Sequence, residues 1–445
     1  MTAHSIVCPK CGQAQQDAVY GVHCVHCGKI GPRIEYSGTP VIRKSATGLD
    51  RYAEFLLGDG ILDRVPNPVV TYQSRKFADK LGMNRLYITL TGYAPEHGAY
   101  SPTCSFKELE AIAVFRRLMQ AKKRRVLILS SAGNTARAFC YWGAKFGWPV
   151  VIVVPVDSRQ FIWLPHEPGL LDRVHRYVRV VSVGRPSSYR DAAVIHRHIA
   201  DLLGTSVADE GGFGNPGRLA GLGIAALSFF DITGCAPDKY FQAVGSAAGA
   251  VAASRIYQQV NPEKAAAVEY FLMQNEPYTP LVDALNQELS SIDTENYQKY
   301  VDMVCAPMLT SADPLYAYPG GLKDDIRRGI RIHGVSVNND EIYEAQYNFY
   351  REESLEVLLP AAAAIAGLSD MIKAGRVHQN DLIHLNVTGV GESRRKADSG
   401  YFFAPAMDAP VSAIRNDGPF EDWFHGVFEP ELALLQEVKD EPLEI

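Results

Sequence analysis

The chain has 445 residues, 47% of them hydrophobic and 21% charged, with 44 basic and 50 acidic side chains and a net charge of −6. A chain this long and this apolar buries a large core and divides into two or three domains, which excludes disorder as its main state. The slight acidic balance leaves no electrostatic footprint for nucleic acid. The apolar runs, such as PVVIVVPV over 149–156, fall short of the roughly 18 to 20 residues of a membrane span. The N-terminal MTAHSIVCPKCG lacks the basic and apolar segments of a secretory signal, so the cytoplasm is the expected location.

Four of the eight cysteines crowd into the first 27 residues, as Cys8-Pro-Lys-Cys11 and Cys24-Val-His-Cys27. Two CxxC knuckles set four thiolates at the corners of a tetrahedron, the geometry of a closed structural zinc site. His23 and His26 stand beside the second pair as alternative ligands, and a thiol-rich hairpin without metal is the plainer reading. With only Lys10 and Lys29 basic among the first 30 residues, nucleic-acid binding is not expected of this segment. Residues 1–34 are therefore expected to form a zinc-ribbon-like head that lies outside the chemistry. Cys104, Cys140, Cys235 and Cys305 are scattered, as buried thiols are, and form no disulfide framework.

Residues 35–65 carry no clear period and read as a linker with a short helix around 49–57. A strand is predicted over 86–90, and a glycine- and proline-bearing loop then reaches Ser105. Leu109, Ile112, Phe115 and Leu118 recur at helical spacing and predict a helix over 108–123. Strands follow at 126–129, 150–154 and 179–183, alternating with helices at 134–146 and 188–203. The second half predicts a strand at 240–244, helices at 250–259, 341–353 and 360–374, a strand at 381–387 and a terminal helix from 429 to 445. Strands and helices alternating in this way argue for an α/β fold with parallel sheets.

In parallel sheets, ligands collect beyond the carboxyl ends of strands. Three such ends are unusual. Ser130-Ser131-Ala132-Gly133-Asn134-Thr135 opens a helix with small and polar residues, where free N–H groups favour a carboxylate or phosphate. Gly245-Ser246-Ala247-Ala248-Gly249 lacks the Gly-Lys-Ser/Thr of a nucleotide loop and the GxGxxG of a dinucleotide loop, so it suits a smaller phosphate. Asn386-Val387-Thr388-Gly389 sets a lone hydroxyl at the third end. Each alone is also an ordinary turn. Together with Lys107, which starts a helix in Ser105-Phe106-Lys107-Glu108, they describe a phosphorylated cofactor beside an amino or organic acid. If buried, that lysine is a Schiff-base nucleophile.

These segments, with Glu352-Glu353-Ser354, Pro360-Ala361-Ala362 and Ala366-Gly367-Leu368, follow the order of motifs in fold-type II pyridoxal-phosphate enzymes. Over about residues 68–391 the chain resembles the threonine synthase group and, within it, the cysteate synthases. The second likeness rests on Cys104-Ser105-Phe106-Lys107-Glu108-Leu109-Glu110 and on Asn134-Thr135-Ala136-Arg137-Ala138-Phe139. Many threonine synthases have glycine before that serine and aspartate after that lysine. The resemblance implies two parallel-sheet domains of the tryptophan synthase β type behind the head. The first part of the large domain falls in 35–105, the small domain in 106–190, the large cofactor-binding domain in 191–400 and a C-terminal extension in 401–445.

The resemblance also implies roles. Lys107 carries pyridoxal 5′-phosphate as an imine, and Asn134 bonds its 3′ oxygen. Gly245, Ser246, Ala247, Ala248 and Gly249 hold its phosphate, Thr388 meets its pyridine nitrogen, and Ser131 and Thr135 bind the substrate carboxylate. A neutral hydroxyl at the ring nitrogen draws less charge into the ring than an aspartate does, which suits elimination at the β-carbon. Arg137 and Arg218 are candidates to bind a leaving phosphate or an anionic nucleophile, against a solvent-facing salt bridge for each. The implied reaction is β-replacement on O-phospho-L-serine in a homodimer, releasing phosphate by way of an aminoacrylate and adding sulfite to give L-cysteate. Ala247 and Ala248, where the loop is often richer in glycine or threonine, and an insertion over 93–101 leave another nucleophile open. A threonine synthase acting on O-phosphohomoserine and a catalytically silent amino-acid sensor complete the alternatives.

Overall fold

Val126–Ser130, Val150–Pro155 and Val178–Val183 are near-continuous runs of valine, isoleucine and leucine, which only a sheet covered on both faces can bury. In the computed structural model, which describes residues 4–17, 20–31, 33–36, 38–121, 124–185, 189–410 and 417–439, they lie parallel and adjacent. Val207–Asp209 and Ala406–Ala409 extend this sheet to five parallel strands.

A second sheet has seven strands. Its path runs Arg331–Val337, Glu269–Asn275, Lys239–Ala243, Ile383–Val390, Leu86–Ala94, Val69–Gln73, with Ala99–Tyr100 paired to Leu86–Ala94. The first five are parallel, and the last two pair antiparallel at one edge. Side chains alternate between its faces, as the period of two requires. Phe241, Phe271 and Met273 enter one core with Ala361–Leu368 of the Leu359–Lys373 helix, whereas Tyr240, Tyr270 and Leu272 enter the core shared with the first sheet. Each such side chain contributes roughly 1.5–3 kcal/mol by leaving water.

The helix Asn134–Phe146 starts and ends where its spacing predicts, and the other expected elements are present with ends shifted by one to a few residues. Several elements are additions to the sequence reading, three of them long. Glu269–Asn275 and Arg331–Val337 are strands, and Pro216–Thr233 is an 18-residue helix. That helix is apolar on every side and buried almost throughout, so it carries no amphipathic period to read. The strand Ile383–Val390 runs through Thr388 instead of ending before it, with its register shifting between Val387 and Val390.

Sheet membership departs from the expected breaks. Helix Tyr189–Leu203 leads into Val207–Asp209 of the five-stranded sheet, and Ala406–Ala409 forms that sheet's other edge, so neither 190 nor 400 separates the sheets. Arg33–Tyr36 pairs with His4–Val7 and carries the head past residue 34. The terminal helix spans Glu429–Val438, and the expected helix ends at Lys123, Ser188 and Ile445 lie outside the described residues. Among the described residues no helix is long and apolar enough to cross a membrane.

In the head, the Sγ atoms of Cys8 and Cys27 are 3.6 Å apart and those of Cys11 and Cys24 are 3.7 Å apart, with all four within 4.8 Å of one another. Four sulfurs at about 2.3 Å from one zinc ion stand about 3.8 Å apart, so the cluster fits that ion. The head sheet is three short antiparallel strands with a small core. Metal ligation is what such a small unit uses to hold its shape.

Cys104, fully buried, takes φ 54°, a left-handed conformation that costs about 1 kcal/mol or more for any residue with a Cβ. It turns the chain immediately before Ser105-Phe106-Lys107. Two outcomes are expected. Purified protein should carry about one zinc ion per chain by elemental analysis, and chelation should expose thiols to a thiol reagent; metal-free protein with those thiols already reactive would contradict the zinc site. At Cys104, the glycine variant should resist denaturant better than the alanine variant by about 1 kcal/mol, because only alanine keeps the left-handed cost.

Candidate active site

Lys107 is the first residue of the Lys107–Leu118 helix. The N–H of its neighbour Phe106 donates to the Thr388 carbonyl at 2.8 Å, which ties the lysine turn to the end of a central strand of the large sheet. The Ala248–Val260 helix comes against the same turn. A Cβ on Gly249 would stand 2.7 Å from the Phe106 ring and 2.6 Å from Gln242 Nε2, so this approach admits only glycine. The first N–H groups of that helix precede its internal ladder and are left for a ligand.

From the other sheet, Ser131 Oγ accepts from the N–H groups of Gly133 and Ala136, both at 3.2 Å, which leaves the hydroxyl its proton to donate. Arg137 Nη2 donates to Asn134 Oδ1 at 2.9 Å. A guanidinium can only donate, so this contact turns the Asn134 NH2 away from Arg137. Asn134 and Thr135 are partly exposed at the start of their helix. A Cβ on Gly133 would stand 2.4 Å from Met308 Sδ, and the Leu315 N–H donates to the Ser246 carbonyl at 2.8 Å. The segment 307–315 thus reaches from the serine–asparagine loop of one sheet to the glycine loop of the other.

The charges at the site are paired. Lys107 Nζ lies 3.3 Å from Glu110 Oε2, and Arg218 Nη1 lies 3.2 Å from Glu110 Oε1 and 3.3 Å from Glu210 Oε2. Burial lowers the Lys107 pKa, with Glu110 acting against the shift and Arg218 with it. Burial pushes the Glu210 carboxyl up to about 7. Arg137 is buried over the Trp163 ring, 4.6 Å from its centroid, and donates to Glu392 at 3.2 Å. The expected alternative of a solvent-facing salt bridge therefore holds for neither arginine: Arg137 is buried, the Arg218 side chain is only 13% exposed, and each already faces a carboxylate.

The head touches this cluster. Tyr20 OH accepts from Asn215 Nδ2 at 2.6 Å, and Asn215 caps the Pro216–Thr233 helix by accepting from the Gly217 N–H at 3.0 Å. Arg117, on the lysine helix, donates to Asp17 at 2.6 and 2.7 Å and to Asn215 Oδ1 at 2.9 Å. Val22 packs on Gly211, next to Glu210. The head, expected to lie outside the chemistry, braces the loop that carries Glu210 and leads to Arg218.

The structure thus gathers Lys107, Thr388 and the 245–249 loop at one turn, and links Ser131, Asn134 and Thr135 to them through 307–315. Glu110, Glu210 and Met308 are additions to the sequence reading. Glu110 stands three residues after Lys107 on one helix and so shares its face, a signal the spacing contains. Glu210 and Met308 arrive through the fold and leave no local trace.

A part-buried lysine amine, a row of backbone donors at a helix start beside it, a carboxamide donor and a hydroxyl at a neighbouring strand end fit a planar aldehyde that bears a phosphate. Comparison with known proteins agrees. Residues 68–389 match the family described as pyridoxal-phosphate dependent enzyme. The chain is 32% identical to cysteate synthase of Methanosarcina acetivorans, over 93% of this chain and 98% of that one. It is 35% identical to cysteate synthase of Methanocorpusculum labreanum, over 82% and 88%. Among solved structures, threonine deaminase isoform 2 of Solanum lycopersicum superposes with a TM-score of 0.56 at 18% identity, covering 83% of this chain and 98% of that one. Maize serine racemase gives 0.54 at 14% identity, covering 79% and 97%. The chain belongs to the pyridoxal-phosphate dependent enzymes of fold type II, in the group that holds the cysteate synthases.

Proposed function

We propose that the chain replaces the phosphate of O-phospho-L-serine with sulfite to give L-cysteate. The observation that carries this reading is similarity to cysteate synthases over more than nine-tenths of the chain, joined to a lysine turn packed against the 245–249 loop. Pyridoxal phosphate, when bound, supplies an electron sink in conjugation with the substrate amine. Lys107 would be its attachment point, the N–H groups over 245–249 would hold its phosphate, and Asn134 and Thr388 would face its 3′ oxygen and its ring nitrogen.

Ser131, with its one remaining proton, and Thr135 hold the substrate carboxylate and so orient the α-carbon. Lys107 Nζ, freed by exchange with the substrate amine, takes the α-proton as general base. The Cβ–O bond then breaks with its electron pair leaving on phosphate, the sulfite sulfur lone pair forms the Cβ–S bond, and Nζ returns its proton to the α-carbon. No outside oxidant or reductant enters. Met308, against Gly133, covers the carboxylate loop and limits the room beside it.

Two outcomes test the reading. Lys107→Ala should lose the imine absorbance of the holoenzyme and about a thousandfold in rate, a general-base contribution of ordinary size, with the fold unchanged by circular dichroism. Phosphate release should occur from O-phosphoserine and not from O-phosphohomoserine, and sulfite should convert the product to a species with the mass of cysteate. Release from O-phosphohomoserine would turn the assignment to a threonine synthase. Cofactor-loaded protein that releases phosphate from neither would defeat it.

A further inference from the structure

We propose that Glu110 is a positioning residue for Lys107, holding the amine in place and setting how tightly Nζ keeps a proton, with Arg218 restraining Glu110 in turn. The proposal rests on the role proposed above for Lys107. Glu110 is fully buried, and its two oxygens are divided between two cations, Lys107 Nζ at 3.3 Å and Arg218 Nη1 at 3.2 Å. Lys107 and Glu110 share one helix face, while Arg218 comes from the Pro216–Thr233 helix and Glu210 from the loop before it. Arg218 divides its charge as Glu110 does, with Glu210 Oε2 at 3.3 Å. The other titratable groups facing this cluster are Asp209, beside Glu210, Tyr189, on the helix packed against the first sheet, and Tyr20 of the head, with Arg117 over its ring.

Arg218 is shared between Glu110 and Glu210, so Lys107 is the second cation that this pair of carboxyl groups faces. Lys107 differs from Arg218 in one respect: its charge changes during the proposed reaction, whereas a guanidinium stays charged throughout. When Nζ takes the α-proton it becomes an ammonium ion 3.3 Å from a carboxylate, which favours the transfer. Arg218 opposes that pull, so the amine can give the proton back. Burial is the largest influence on the Lys107 pKa and lowers it, and beside it Glu110 raises the pKa while Arg218 lowers it, the two opposed pulls the geometry implies.

The test is the pH dependence of Lys107 acylation in the full chain freed of cofactor, read as the mass of the Lys107 peptide after brief exposure to acetic anhydride. Glu110→Gln should move the midpoint to lower pH by about one unit, and Arg218→Gln should move it to higher pH by a similar amount, since an opposite charge within hydrogen-bond range shifts a pKa by one unit or more. Glu110→Asp should restore the midpoint in part. In the holoenzyme, Glu110→Gln should lower kcat about tenfold with little change in KM for O-phosphoserine. A merely structural role would move both midpoints the same way or neither, and either result overturns the proposal. The Arg218 arm decides alone should Glu110→Gln fail to fold. If the cofactor imine maps to another lysine while the two midpoints still move apart, the role of Lys107 fails and the electrostatic coupling stands.

Discussion

Taking an amine out of water disfavours its charged form, and a carboxylate within a few ångströms offsets that loss. Lys107 experiences both effects, for it opens a helix in the interior, where the macrodipole adds a further small bias against positive charge, and its amine faces Glu110. The rest of the site depends on this balance. A lysine left in water would be protonated and inert, and one buried without a partner would be unable to receive a proton when the chemistry calls for it.

Holding that balance takes contacts from both sheets. The Phe106–Thr388 bond fixes the lysine turn to the large sheet, and the absence of a side chain at Gly249 lets a second helix bring its open N–H groups to the same place. Arg218 and Glu210 come from a helix and loop between the sheets, and the segment 307–315 touches one ligand loop at Gly133 and the other at Ser246. Breaking a buried ion pair typically costs about 3–5 kcal/mol. The pairing of Glu110 with Lys107 and Arg218 therefore resists rearrangement.

The cysteine head takes part in that arrangement. Tyr20 and Asp17 meet Asn215 and Arg117, one at the cap of the Arg218 helix and the other on the lysine helix. Whatever holds the four sulfurs together also holds the strands that flank Tyr20 and Val22, and through them the 210–215 loop. The head is small, yet it clamps two elements whose relative placement sets the distance between Arg218 and Glu110.

Local pattern made much of this legible. Valine-rich runs at 126–183 announce a covered parallel sheet, helical spacing locates the 107–118 and 134–146 helices, and paired CxxC knuckles predict a four-thiol cluster, because each of these depends on neighbours in the chain. The motifs around Lys107, Asn134, Gly245 and Thr388 were likewise readable one by one. What the amino-acid order determined by itself was the fold class, the family and the identity of those groups. Their electrostatic state was decided only in three dimensions. Arg137 and Arg218 read as anion-binding candidates or surface salt bridges until packing set them against Glu392, Glu110 and Glu210, and the Pro216–Thr233 helix that delivers Arg218 is apolar on all sides and so has no period to betray it. Charge pairing among buried groups depends on distances between residues as far apart as 110 and 218, and only the packing of helices across two sheets fixes such distances.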